Sequence, residues 1–406
     1  MSEPASTSQA SQASQASPAS QGHGPGPLSG LIVADFSRVL AGPYCTMLLA
    51  DLGADVIKVE SPDGDDTRRW VPPATEDGVS TYYLAINRNK RSVALDLTDP
   101  GDLAMAHELA RRADVFVQNF KPGGLARFGL DYESVSAANP GIVYASISGF
   151  GAAGGKNLPG YDLMVQAMSG LMSLTGDPDG PAYRSGISIF DVIAGLHTTI
   201  GILAALNHRA ATGQGQHVEA ALMASALSGM VNQTSAYVAG GTVPYRMGNS
   251  HPSVYPYEPL PTGDGDLIVT VGNDAQFGRL CEVLGVPALA GDPRFAHNQG
   301  RTANREELRA LLAERLASRS AAAWFDDLIK AGVPCGPINT VDAGVAFARE
   351  IGLDPVVIAG QGEAAMPTVR HPLTFSVTPP RYDLPPPRLD EHGGEIRAWL
   401  SSEGAS

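Results

Sequence analysis

The sequence predicts an α/β protein of two lobes, the larger built on a doubly wound parallel sheet. Three observations carry this. The chain opens with a strand–helix–strand unit, strand and helix runs go on alternating for over a hundred residues, and its 406 residues exceed what one hydrophobic core usually supports.

The opening unit reads LIVADF (31–36) as an apolar run of strand length and SRVLAGP (37–43) as a loop. CTMLLADLG (45–53) follows as a helical stretch and ADVIKVE (54–60) as a second strand. SVALDL (92–97), a helix near 102–113, DVFVQNF (114–120) and IVYASISGFG (142–151) continue the alternation, as in a parallel sheet with helical crossovers. From Asp162 to about Val238 apolar residues recur at three-to-four spacing with glycines at the expected stops, which predicts helices. A Gly/Pro/Tyr-rich stretch (240–265), the strand run LIVTVG (267–272) and helices near 277–283, 305–316 and 321–331 predict the smaller lobe. Before all of this, Ser-Gln-Ala triplets lead into Gly and Pro up to residue 27, the composition of a solvated, disordered tail with neither a basic n-region nor an apolar h-region.

Composition narrows the function. Apolar residues make up 43% and charged residues 17%, a globular balance, and the longest apolar stretches read as shorter than the roughly 18 residues of a membrane span. A net charge of −14 repels polyphosphate backbones, so neither nucleic acid nor membrane is expected as a partner. Cys45, Cys281 and Cys335 are few, odd in number and far apart, which argues against a disulfide framework and a zinc site and for reducing cytoplasm. The turn after the first strand lacks GxGxxG, and no GxxxxGK[ST], GxSxG or HExxH occurs; dinucleotide, nucleoside-triphosphate, esterase and zincin readings lose their signatures. No metal site is expected.

What remains is a series of phrases: RVLAGP (38–43), LGADVIKVE (52–60), DDTRRW (65–70), NRNKRSVALDL (87–97), DVFVQNFKPG (114–123), PGYD (159–162), FDVIAG (190–195) and GILAAL (201–206). In this order, from about Leu28 to about Gly394, they resemble a family III CoA-transferase of the CaiB/BaiF type. The phrases RVLAGP, GDDTRRW, STYYLAINRNK and PCGPIN are similar to the branch that uses succinyl-CoA and small dicarboxylates such as hydroxymethylglutarate, malate, itaconate or mesaconate.

The resemblance implies a Rossmann-like large domain (28–225 and 335–406), linkers at 226–239 and 331–334, a small domain (240–330), and an interlocked homodimer. It implies coenzyme A and acyl-CoA as substrates with no permanently bound cofactor, and a small carboxylic acid as acceptor. Asp191 matches the nucleophile, which carries the acyl group as a mixed anhydride and then CoA as an aspartyl thioester; only a carboxylate conserves the energy of the donor thioester through covalent steps. Read locally, Asp191 sits where a strand-like run meets a helix, a capping position that would keep it ionised and offer amide donors for an oxyanion. Asp162 matches an orienting or acid/base carboxylate and reads locally as a cap before LMVQAMSGLM.

By the same resemblance Leu40 and Ala41 lie along CoA, and Leu95, Asp96, Leu97 and Thr98 border its adenine. Asn119, Phe120 and Lys121 follow its phosphates, Arg127 reaches one, and Tyr161 completes the site. Ser61 stands where the family has an arginine. Racemases of the same fold carry a histidine at the position of Tyr161, and a phenol with a pKa near 10 is a poor substitute in α-proton exchange. The alternatives are therefore such a racemase or a noncatalytic CoA-binding protein. A dicarboxylate needs a cation for its second carboxylate, which Arg38, Arg68, Arg184 or Arg246 could supply, Arg38 first. His251, in the Pro-bounded segment MGNSHPSVYPY (247–257), is a substrate candidate in a lid whose composition points away from formate and oxalate.

Overall fold

A computed structural model describes residues 26–402; nearly all of the predicted N-terminal tail lies outside them. The chain forms two compact units, one of residues up to 169 with 186–234 and 354 onward, the other of 170–185 and 235–353. The second unit thus includes residues 335–353, because the strand beginning at Cys335 pairs there.

In the first unit six strands lie in the order β3-β2-β1-β4-β5-β6, all parallel. They are β1 (Ile32–Asp35), β2 (Asp55–Glu60), β3 (Lys90–Ala94), β4 (Val115–Gln118), β5 (Val143–Ser148) and β6 (Gln216–Ala221). The unit's helices include α1 (Ala41–Asp51), α2 (Thr81–Ala85), α3 (Pro100–Arg112), α4 (Tyr132–Ala138), α5 (Asp162–Ser169), α7 (Ile189–Thr212), α8 (Leu222–Gly229) and the C-terminal helix Gly393–Ser401, while α6 (Leu171–Leu174) falls in the second unit. β1 is buried on both faces, as a strand covered by helices on either side must be. Strand order reverses between β1 and β4, so the crevice beyond their carboxyl ends is where a doubly wound sheet offers room to a ligand.

The predicted strand at 92–97 starts and ends earlier, at Lys90–Ala94; polar Lys90, Arg91 and Ser92 are buried within it because ionic partners await them. Lys90 Nζ donates to Asp35 Oδ2 (3.1 Å), the Pro43 carbonyl (2.9 Å) and Asn87 Oδ1 (3.0 Å). Lys58 Nζ donates to Asp65 Oδ2 (2.9 Å) and the Ser37 carbonyl (3.0 Å). Arg68 bridges Glu60 over the Tyr83 ring, and Arg88 pairs with Asp51. Burial alone would push the Asp35 carboxyl up, but Lys90, Lys58 and the hydroxyls of Ser37 and Thr46 hold it below the usual range. Burial likewise draws the Lys90 ammonium down to about 8 despite Asp35.

The returning C-terminal segment covers the exposed edge of β3. His392 N–H donates to the Ser92 carbonyl and Ala94 N–H to Asp390 Oδ1, which blocks that edge from pairing with another chain.

α7 corrects one sequence expectation. Its 24 residues are long and apolar enough to cross a membrane by length and composition, because small and hydroxylated residues dilute the apolar run without charging it. Ala194, Thr198, Ile202 and Ala205 on one face are buried, and the helix packs on α1, α8 and β6.

In the second unit β7 (Tyr257–Pro261), β8 (Asp266–Thr270) and β9 (Cys335–Pro337) form an antiparallel sheet. Helices Asp274–Val283, Arg305–Leu316 and Ala321–Lys330 pack with it around Phe277, Leu280, Leu312 and Leu328.

Lys58→Met should destabilise the protein by ~3–5 kcal/mol, since it strands the Asp65 carboxylate in the interior. Arg111→Ala, which breaks an exposed pair with Glu108, should cost ~0.5 kcal/mol or less. Urea denaturation of both variants checks the contrast.

Candidate active site

The loops after β1 and β4 meet at the switch point and wall a cleft of about 380 Å³. Its lining includes Arg38, Leu40 and Ala41 from the first loop and Asn119, Phe120 and Lys121 from the second, with Tyr161 and Asp191. Eight of the residues singled out in the sequence therefore converge on one cleft. The segment Asn157–Gly160 and the stretch Ile147–Gly149 add a further wall. These approach closely because both Gly149 and Gly160 lack a side chain; a Cβ on Gly149 would sit 2.3 Å from Gly160 Cα.

Asp191 stands at the third position of α7, whose N-cap is Ser188, so it is not the capping residue that the local sequence predicts. The strand-like run before it is absorbed into the helix start, since Ile189 and Phe190 are already helical. The cap comes from Asp162, 29 residues before Asp191. Its Oδ1 accepts from Phe190 N–H (2.8 Å) and Asp191 N–H (3.3 Å), and its other oxygen accepts from Gln166 Nε2. Asp162 thus begins α5 while capping α7, and it lies buried behind the cleft.

This arrangement corrects two further expectations. Val192 N–H donates to the Ser188 carbonyl and Ile189 N–H to the Ile187 carbonyl, so with Asp162 taking the next two, the first amides of α7 are committed and do not face an oxyanion. Nor does the helix start hold Asp191 fully ionised. Burial and the Asp162 charge push its carboxyl up to about 7, outweighing the helix dipole, whose effect is typically below 1 kcal/mol.

Other expected residues do not join the cleft's lining. Leu95 is buried in the main core, Asp96 holds Thr98 through its own carboxylate, and Arg127 lies over the Phe128 ring at 4.4 Å. Leu97 packs on the core margin. Arg68 is taken up by Glu60, which withdraws it as a carboxylate receptor. Arg184, Arg246 and His251 belong to the second unit. There Arg246 donates to the Asp177 carbonyl, and the His251 ring lies 5.3 Å from that of Tyr257. The segment read as a lid is anchored by Glu258, which accepts from Ser250, Tyr255 and Arg309.

Sequence reading missed Tyr82. Bonded to Ser188, it lies within electrostatic reach of Asp191 and Asp162, and burial together with those charges pushes its phenol up. Trp70 and Asp66 also line the cleft, and Trp70 meets Tyr82 edge to face at 5.2 Å. The phrases DDTRRW and STYYLAINRNK contain all three, but nothing in their spacing says which side chains turn inward. Among the described residues no cluster of three or more His, Cys, Asp or Glu side chains could hold a metal ion.

Residues 28–393 match the family model described as CoA-transferase family III. The chain belongs to that family. It is 44% identical over 392 residues to the succinate–glutarate CoA-transferase of Agrobacterium fabrum, covering 93% of this chain and 96% of the relative. It is 40% identical to the acetyl-CoA:oxalate CoA-transferase of Acetobacter aceti, over 94% and 97% of the two chains. A crystal structure of a CaiB/BaiF family protein from Brucella suis superposes with a TM-score of 0.83 at 44% identity, over 93% of this chain and all of that one. In this family III fold the cleft at the β1/β4 switch point is the meeting place of every wall residue named above.

The raised Asp191 pKa has a stability consequence with a definite sign. A carboxyl that keeps its proton to higher pH when folded destabilises the fold increasingly as pH rises from the unfolded value near 4 to about 7. At ~1.4 kcal/mol per unit the ceiling is ~4 kcal/mol, and partial exposure lowers it to on the order of 1–3. Asp191→Asn should therefore stabilise the protein at pH 8, less at pH 5, as chemical denaturation at the two pH values would show.

Proposed function

We propose that this protein transfers CoA from succinyl-CoA to a small dicarboxylic acid through covalent intermediates on Asp191. The observation that carries the reading is that Asp191 opens into the same cleft as the Arg38–Ala41 and Asn119–Lys121 segments. The names of the relatives, a succinate–glutarate and an acetyl-CoA:oxalate CoA-transferase, support the reaction class. The second name also removes the ground for excluding oxalate as an acceptor.

In this reading the Asp191 carboxylate attacks the donor carbonyl, CoA leaves as thiolate, and a mixed anhydride forms. The thiolate then attacks the Asp191 carbonyl of the anhydride, releasing the donor acid and leaving aspartyl-CoA. The acceptor carboxylate attacks that thioester and repeats the exchange in reverse, so CoA ends on the acceptor and Asp191 is regenerated. Asp162 orients the nucleophile by fixing the start of α7, and its charge adds to burial in raising the Asp191 carboxyl to about 7, which makes the ionised carboxylate a stronger nucleophile. Arg38 receives the acceptor's second carboxylate, its guanidinium being exposed at the cleft with only Asp66 at 3.4 Å. By the family resemblance Leu95–Thr98 and Arg127, which do not line the cleft, are assigned with the cleft residue Lys121 to the nucleotide end of CoA. Tyr161, 64% exposed at the cleft, stands where a racemase would need its histidine.

The functional unit in this reading is the interlocked homodimer. Exposed apolar side chains on α7, Ile200 at 64% and Leu196 at 38%, support it, since faces of that kind are ordinarily covered. Three free cysteines, Cys45, Cys281 and Cys335, fit a reducing cytoplasm.

Incubating the protein with succinyl-CoA and hydroxylamine should place a hydroxamate on Asp191, detectable by mass spectrometry of its peptide, and a panel of dicarboxylates should show acid-dependent CoA exchange. Asp191→Asn should abolish both; retained exchange would remove Asp191 from the mechanism. The rate with wild type should rise with pH through about 7 as Asp191 ionises. Asp162→Asn, which keeps the acceptor oxygen for α7 but removes the charge, should move that limb to lower pH by only part of the total displacement, because burial is the larger cause.

A further inference from the structure

Val39 has a backbone φ of 69°, a left-handed conformation that is a genuine outlier for a β-branched residue and persists only where surroundings impose it. It lies in the cleft wall between Arg38 and Leu40, and what surrounds it is specific. The Asn119 side chain grips the backbone of Arg38 at both ends: Oδ1 accepts from Arg38 N–H at 2.9 Å and Nδ2 donates to the Arg38 carbonyl at 2.7 Å. Val39 N–H points at both oxygens of Asp65, at 3.3 and 3.4 Å. Asp65 is in turn fixed by Lys58 at 2.9 Å and by the Thr67 hydroxyl at 2.8 Å, all buried. Lys58 reaches back to the Ser37 carbonyl, one residue before the turn.

We infer that Asn119 is a positioning residue and not a phosphate ligand through its side chain: together with the Lys58–Asp65 pair it holds the Arg38–Val39 turn in its left-handed form. The inference rests on the proposed CoA-transfer reading for what the cleft binds. The amide of Asn119 has its oxygen and one N–H committed to Arg38, joining the loop after β1 to the loop after β4 across the switch point. Released from that grip, Val39 relaxes to negative φ, which rotates the peptide planes on either side and swings Arg38 and Leu40 away from their places in the cleft that Asp191 also lines. A displacement of this size in a reacting site costs ten- to a hundredfold in rate or affinity.

The test uses the full chain with acyl-CoA and with acyl-pantetheine, a donor that lacks the nucleotide. Asn119→Ala should raise KM for acyl-CoA about tenfold and cost a similar factor with acyl-pantetheine. Adding Val39→Gly, which makes positive φ freely accessible, should recover a large part of that loss. If the Asn119→Ala defect vanishes with acyl-pantetheine, Asn119 contacts the nucleotide and the inference falls. If Val39→Gly adds its own loss to that of Asn119→Ala without rescue, the left-handed turn is not what Asn119 maintains, and the inference falls again. Should Asn119→Ala not fold, Asn119→Asp, which keeps the acceptor for Arg38 N–H but loses the donor, should show a smaller defect of the same kind, rescued in the same way; a defect confined to acyl-CoA would overturn the inference here too. Absence of transfer by wild type with every acyl donor would instead sink the parent reading and is distinguishable from all of these.

Discussion

The buried lysines Lys58 and Lys90 are the constraint from which the cleft follows. An ammonium group taken out of water is tolerable only when it finds hydrogen-bond acceptors, and here several of those acceptors sit on the stretch that runs from the end of β1 into the first turn of α1, with Asp65 and Asn87 completing the set. Lys90 needs Asp35 and the Pro43 carbonyl; Lys58 needs the Ser37 carbonyl and Asp65. The demand for satisfied hydrogen bonds therefore pins Ser37–Pro43 from beneath, and that segment forms one wall of the cleft. A pair of hydrophobic residues could be as stable, but would leave the turn without directional anchors.

The same economy governs the other wall. Asp162 is buried, and its two oxygens are taken up by the Phe190 and Asp191 amides at the start of α7 and by Gln166. The arrangement places one carboxylate behind another, so the charge of Asp162 and the exclusion of water together lift Asp191 toward neutrality. Capping α7 and raising the pKa of a carboxyl in the cleft are here one interaction, so the two roles the sequence suggests for Asp162 need not compete.

Much of the fold is legible in the sequence. Strand and helix runs from Leu31 to Ser148 followed apolar spacing, since both faces of a parallel sheet are buried and its strands read as continuous apolar runs. Where spacing failed, charge was the reason: Lys90 and Arg91 look like surface residues in NRNKRS, yet they begin β3 because Asp35, Asp55 and Glu395 neutralise them. The start of α7 lies earlier than the local sequence indicates because Ser188-Ile189-Phe190 carries no local helix signal stronger than its strand signal; the deciding cap is remote.

By itself the sequence determined the alternation of elements and the family, and it singled out Asp191 and the Arg38–Ala41 and Asn119–Lys121 segments as candidates, because local periodicity and ordered phrases are properties of the chain alone. Only the tertiary structure decided which side chains meet: Asp162 with the amides of α7, Asn119 with the backbone of Arg38 81 residues away, Tyr82 with Ser188, and Arg68 with Glu60 instead of a substrate. Hydrogen bonds and pKa shifts depend on distance and burial, and neither is defined until the sheet has brought the carboxyl ends of β1 and β4 side by side.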